Sequence, residues 1–346
     1  MNELKTIYEP IARELGKVNS LIRHPFRKSR PGSIYDLGTF LLASPGKRIR
    51  PALTILSAKA TLNGEPTTVN HQLTRIAACV ELIHMASLLH DDVIDHSHLR
   101  HNKPTINSTR GKDIAIALGD YLYSVAFELI SECGNADIIH CVSCATKEMC
   151  EGELIQVCER ENLDLLKERY IIIVKKKTAS LFAASCQTGA LISKGPLSFF
   201  NALKEYGINF GIAFQIVDDF LDLVGDEKSL GKKPGQDLNV GEMTLPVLNL
   251  LEAVPANERK DLRRLLSLRR DKKVLLKIRS TLFETDAARK TEDTVSHYLR
   301  RARKRLDILP DSTYKESLIA LTGFLLKRGF GNLRKDKKVR RTSARS

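Results

Sequence analysis

The motif D-D-x-x-D occurs twice in this 346-residue chain, at 91–95 and 218–222, and each copy closes an apolar run with helical spacing. In the first, E-L-I-H-M-A-S-L-L-H-D-D-V-I-D (81–95), Leu82, Met85, Ala86 and Leu89 share a core-facing side. Asp91 and Asp95, four residues apart, stack on one side of the same helix, with Asp92 between them and Arg100 following. The second, F-Q-I-V-D-D-F-L-D (214–222), repeats the spacing with Asp218, Asp219 and Asp222. Like charges at this spacing cost only about 0.2–0.5 kcal/mol when exposed. Beside a core they demand a counter-ion, and oxygen-only donors favour Mg²⁺. Either copy alone reads as a solvated acidic patch. Two copies, each ending an apolar helix, read as facing carboxylate clusters. Because Mg²⁺ takes one or two carboxylates plus phosphate oxygens, such clusters suit a departing diphosphate.

The rest of the chain is helical in pattern. Apolar residues recur at 3.6-type spacing over 1–23, 52–62, 71–89, 112–132, 136–158, 164–192, 197–223, 243–252, 258–267, 271–284, 287–307 and 312–328, with Pro25 expected to close the first helix. No segment alternates strictly enough to be a strand, so the expected fold class is all-α. No Gly/Pro-rich break is long enough for an interdomain linker, so residues 1–330 are expected to form one domain.

Hydrophobic residues make up 42% of the chain, enough for a buried core. No uninterrupted apolar run approaches the roughly 20 residues of a membrane span, and no signal-peptide pattern follows Met1, so a cytoplasmic location is expected. Seven cysteines, an odd number within helical segments, argue against a disulfide framework. Cys141 and Cys144 form a lone C-x-x-C, read as small buried hydrophobes rather than a zinc or redox site.

The net charge of +14 is uneven. Residues 327–346 hold nine basic residues against one acid, Asp336. Residues 331–346 are expected to be a disordered basic tail. Its functional reading is peripheral contact with an anionic membrane, since no interleaved aromatics suit it to nucleic acid.

Three further stretches carry possible chemistry. S-P-G-K-R-I-R-P (44–51) presents Lys47, Arg48 and Arg50 on a turn bounded by Gly46 and Pro51, a phosphate-binding arrangement or else a solvated basic loop. Lys177 and Thr178 end a lysine run that passes into L-F-A-A, which turns them inward. A glycine-rich loop, 225–238, with Lys232, Lys233 and Asp237, is either a surface loop or a lid over phosphate.

In this order, G-K-R-I-R-P (46–51), L-L-H-D-D-V-I-D (88–95), G-D-Y-L-Y (119–123), E-G-E-L-I-Q (151–156), K-T-A-S-L-F (177–182), F-Q-I-V-D-D-F-L-D (214–222), G-K-K-P-G-Q-D-L (231–238) and T-L-P (244–246) resemble the trans-polyprenyl diphosphate synthases, particularly the longer-chain branch that makes quinone side chains. The resemblance covers nearly the whole chain. It implies a bundle of long helices around a central cavity, a homodimer, and condensation of isopentenyl diphosphate with an allylic diphosphate. It implies that Lys47, Arg50 and His84 hold isopentenyl diphosphate, with His101 at a neighbouring position. Asp91, Asp95, Asp218, Asp219 and Asp222 would bind Mg²⁺, and Arg100, Lys177, Thr178 and Gln215 would contact the allylic substrate, with Lys232 nearby. Asp91, Asp92, Asp95, Arg100, Lys177 and Asp218 are the implied catalytic set. Product length in this family depends on side chains just before the first motif. The small Ala86 and Ser87 there imply a product longer than farnesyl.

The chain departs from the family at two positions. Arg100-His101-Asn102 stands where two arginines and a glycine are usual, and Glu242 stands where a lysine commonly precedes T-L-P. Histidine does not replace an always-charged guanidinium at neutral pH. These departures leave open a second reading, a non-catalytic or regulatory subunit of a heteromeric synthase. A terpene cyclase, a third reading, would need neither the 46–51 loop nor a second D-D-x-x-D.

Overall fold

The computed structural model describes residues 2–28, 33–43, 46–62, 70–100, 102–225, 234–268 and 272–343. Among them the fold is all-α, as expected; the only extended pairing is a two-residue antiparallel ladder, Leu99–Arg100 with Lys103–Pro104. This ladder follows the first motif and turns Arg100 back toward it.

Two long helices organise the bundle. The first-motif helix, Asn70–Ile94, packs along Lys112–Ser131, and the second-motif helix, Leu197–Val224, packs between Ser180–Ile192 and Ala287–Arg305. Both are lined with apolar residues on more than one side, so each is surrounded rather than laid on a surface. Buried apolar side chains from Ile7 to Phe330 join in one continuous core.

The element boundaries depart from the sequence pattern in several places, beginning with the expected 1–23 helix, which is Asn2–Tyr8, a 3₁₀ turn Glu9–Ile11 and Ala12–Lys28. Pro25 lies inside the Ala12–Lys28 helix rather than closing it. It sits in the last turn, and Ile22 and Phe26 on either side are buried. The first-motif helix runs on through Asp91 and Asp92 to Ile94, with Asp95 in the turn that follows. The stretch 164–192, expected as one helix, is Lys167–Val174, then a π-helical turn Lys175–Ala179, then Ser180–Ile192. The last helix, Thr313–Ser343, continues beyond 328.

The π-helical turn is held by a close approach. A Cβ on Gly152, in the Ala136–Cys158 helix, would lie 2.3 Å from the Lys177 backbone nitrogen, so only glycine lets these two segments meet. A π turn re-aims the side chains that follow it, and such turns gather at functional sites. Here it presents Lys177 and Thr178.

Two helices, His71–Ile94 and Lys112–Ser131, are long and apolar enough to cross a membrane by length and composition. The first is largely buried inside the bundle, whereas the second keeps much of its surface exposed.

Candidate active site

Two cavities open between the motif helices and share Arg50, His84, Leu88, Arg100, Phe214 and Asp218. Their volumes are about 500 and 660 Å³, within the range of ligand sites. One is acidic: Asp91, Asp95, Asp218, Asp219, Glu153 and Glu242 line it with Lys177, Arg100, Thr178 and Gln215. The other is basic, lined by Lys47, Arg48, Arg50, Arg100, Lys103 and Arg328, with Asp92 and Glu81 among its acids.

In the basic cavity, neighbouring cations of the 46–51 loop have different partners. Arg48 takes a left-handed backbone conformation (φ 54°) and turns its guanidinium to Glu81 (2.6 Å) and Asn19 (3.0 Å). Arg50 is buried, with its guanidinium 4.2 Å above the Phe182 ring and its Nε without a hydrogen-bond partner among the described residues. Burial pushes Arg50 down to about 10, against the pull of Glu81 and Asp218. Lys47 is likewise lowered, first by burial and then by Arg328. A buried, under-bonded Arg50 beside the exposed Lys47 is a site prepared for an anion.

Two of the first-motif aspartates are held in ion pairs: Asp92, on the basic cavity, and Asp95, on the acidic one. Arg100 donates to Asp92 through Nε (2.9 Å) and Nη2 (2.8 Å), which fixes Arg100 between the two cavities. Asp95 pairs with Arg160, and Lys177 with Glu153. Burial raises the Asp91 carboxyl well above its usual range, with Glu153 and Asp95 adding to the rise and Lys177 and Arg100 opposing it. Burial works against the Lys177 ammonium, but Asp91, Glu153, Glu242 and Asp95 outweigh it and raise its pKa.

The second motif is tied into a relay. Thr178 donates to Gln215 Oε1 (2.7 Å), Gln215 donates to Asp219 Oδ1 (2.7 Å), and Tyr170 donates to Asp219 Oδ2 (2.5 Å). Asp218 faces both cavities and pairs with Arg328 at 2.7 Å; Arg328 also stands over Phe214. Asp222, expected as a metal ligand, lines neither cavity. It is buried, accepts the Asp237 amide (3.1 Å) through its carboxylate and the Gly235 amide (2.8 Å) through its carbonyl, and so holds the end of the 225–238 loop.

Ala86, expected to set product length, is buried and lines neither cavity. Ser87 does line the acidic cavity, as do His90, Tyr123, Met149 and Cys150. His84 lies at the junction of the cavities. His101 and Lys232 lie outside the described residues.

The motif carboxylates that face the cavity, Asp91, Asp95, Asp218 and Asp219, are hard oxygen donors, which fits Mg²⁺. Among the described residues no group of three or more His, Cys, Asp or Glu is close enough to cage an ion without help.

Residues 32–281 match the polyprenyl synthetase family, nearly three quarters of the chain. The chain belongs to this family. Family membership makes it a prenyltransferase of the polyprenyl diphosphate synthase class. It is 35% identical over 312 residues to a short chain isoprenyl diphosphate synthase of Methanothermobacter thermautotrophicus, covering 89% of this chain and 94% of that one. It is 34% identical over 329 residues to heptaprenyl diphosphate synthase component 2 of Geobacillus stearothermophilus, covering 95% and 100%. A polyprenyl synthase of Caulobacter crescentus, solved with calcium and isoprenyl diphosphate, superposes with a TM-score of 0.87 at 32% identity, over 95% of this chain and 98% of that one.

Arg160, Tyr170, Glu153 and Arg328 join the site without having been singled out from the sequence. Arg328 stood in a basic run that reads as solvated, and Tyr170 in an apolar one. Arg160 stands 82 residues from Glu242, with no signal in its own stretch of sequence.

Proposed function

We propose that this protein is a Mg²⁺-dependent trans-prenyltransferase that joins isopentenyl diphosphate to an allylic diphosphate, giving a medium- or long-chain polyprenyl diphosphate. The observation that carries the reading is the junction at Arg50 and Asp218, where a basic cavity meets an acidic one. Two diphosphate substrates must meet at their hydrocarbon ends, and two adjoining sites of this character hold them so.

Lys47, Arg50 and His84 hold isopentenyl diphosphate in the basic cavity. Arg100 and Lys177 hold the allylic diphosphate in the acidic one, beside Asp91, Asp95 and Asp218. Bound to these carboxylates, Mg²⁺ supplies positive charge to the departing diphosphate. The allylic C–O bond breaks with its electron pair leaving on the diphosphate, and the isopentenyl double bond attacks the freed carbon. A proton then leaves to the diphosphate, and no side-chain nucleophile is needed. Thr178 and Gln215 turn oxygen dipoles toward the cationic carbon, and Phe214, Leu88 and Ile94 keep water from it. Asp219 sets the orientation of Gln215.

The enzyme acts as a single domain over residues 1–330, in the cytoplasm and as a homodimer. Lys112–Ser131 supports the dimer: Ile114 and Ile116 are 40% and 44% exposed on an apolar helix that a second copy can cover. The basic residues beyond 330 suit peripheral contact with an anionic membrane.

Likeness to a protein named component 2 of a heptaprenyl synthase favours a second reading, in which activity needs another chain. Assay of the purified chain alone, with Mg²⁺, labelled isopentenyl diphosphate and an allylic primer, separates the two. Product from the lone chain supports the first reading, and product only on adding a partner supports the second.

A further inference from the structure

We propose that Arg160 is a positioning residue that offsets Glu242, its guanidinium binding Asp95 and Glu242 together so that the acid before T-L-P does not repel the allylic diphosphate. The inference rests on the reaction proposed above and assigns a role to two residues outside the two D-D-x-x-D motifs.

Arg160 lies just beyond the Ala136–Cys158 helix and reaches two distant elements. Its Nη2 contacts Asp95 and, at 3.2 Å, Glu242 Oε1, while Nη1 donates to the Ile94 carbonyl (3.4 Å). The side chains of Arg160 and Glu242 are 19% and 10% exposed, so water screens neither well. The backbone fixes the same junction: Glu161, in a left-handed conformation (φ 66°), donates its amide to the Gly241 carbonyl (2.8 Å), and Glu242 donates its own to Asp237 (2.8 Å). Arg160 is thus built against the 241–242 turn rather than resting on it.

The charges around the cavity explain what this junction does. Glu242 lines it beside Asp91, Asp95, Asp219 and Glu153, and Lys177, Arg100 and Arg50 are cations of the same lining. Arg160 does not line the cavity. It stands behind Asp95 and Glu242 and cancels charge without occupying the space a diphosphate needs. This chain places an acid before T-L-P and supplies its cation from 82 residues away.

The test is calorimetric titration of inorganic pyrophosphate, in excess Mg²⁺, into the full chain and four variants, with melting temperatures in parallel. Arg160→Met should weaken binding tenfold or more, because Glu242 then loses its ion-pair partner. Glu242→Gln should bind at least as tightly as the parent. The double variant Arg160→Met/Glu242→Gln should return to within about threefold of the parent, a recovery that a merely structural arginine does not give. Arg160→Lys, which keeps the charge and loses the fork, should stay within about fivefold; this variant carries the test if Arg160→Met does not fold. An unchanged Arg160→Met, a double variant as weak as Arg160→Met, or a tenfold loss in Arg160→Lys would overturn the inference. A parent chain that binds pyrophosphate but shows the wrong variant order refutes only this proposal. A parent that binds none, and makes no product from any primer, refutes the reaction on which it rests.

Discussion

Arg48 and Arg50 stand two residues apart and do different things. Arg48 is spent on the buried pair with Glu81, whereas Arg50 faces both cavities over Phe182. Removing one partner of a buried pair strands the other charge. Arg48→Ala is therefore expected to cost about 3 kcal/mol of stability, read as a lowered melting temperature. Arg50→Met removes a cation whose burial is already unfavourable, so it should fold normally. It should raise the KM for isopentenyl diphosphate about 100-fold, or about 2.7 kcal/mol; a normal KM would remove Arg50 from that site. Asp91→Asn should slow turnover by about 10³-fold, roughly 4 kcal/mol of transition-state stabilisation, with an unchanged circular dichroism spectrum. Turnover near normal would remove Asp91 from the chemistry. At this scale the sequence announced its charged motifs but not who pairs with whom. The inward turn of Lys177 and Thr178 was legible because polar and apolar residues meet abruptly there. The pairing of Arg160 with Asp95 and Glu242 spans 65 and 82 residues and leaves no local trace.

The π-helical turn Lys175–Ala179 governs the site at the level of elements. It was hidden in the sequence because one extra residue in a turn leaves apolar periodicity on both sides nearly unchanged. Its position depends on Gly152, where a Cβ would strike the Lys177 backbone at 2.3 Å. Gly152→Ala should destabilise the protein by about 1–3 kcal/mol. It should also lower kcat more than it raises KM, since Lys177 and Thr178 move with the backbone; an undisturbed kcat would mean that the turn does not set their aim. The long helices themselves were readable almost to the residue, as at 136–158 and 197–224, because each carries an apolar stripe with a sharp stop. Pro25 misled because proline near a helix end removes only one late hydrogen bond while Ile22 and Phe26 keep the turn packed.

For the molecule as a whole, the all-α class followed from a pattern with no alternating segment, and the continuous core bears it out. The meeting of two cavities did not follow, since it depends on how the helices cross. Ser87, unlike Ala86, lines the acidic cavity. Ser87→Phe is expected to shift the product ladder to shorter chains at retained turnover, while Ala86→Phe overpacks the core and lowers stability by about 1–3 kcal/mol. Chromatographic sizing of products and thermal melts distinguish these effects. The measurement closest to the central claim uses the purified chain alone, with Mg²⁺, labelled isopentenyl diphosphate and farnesyl or geranylgeranyl diphosphate as primer, and sizes the extracted products. A ladder ending at a defined chain longer than farnesyl, abolished by chelation of Mg²⁺, is the predicted result. A folded chain that yields no product from any primer would contradict the account.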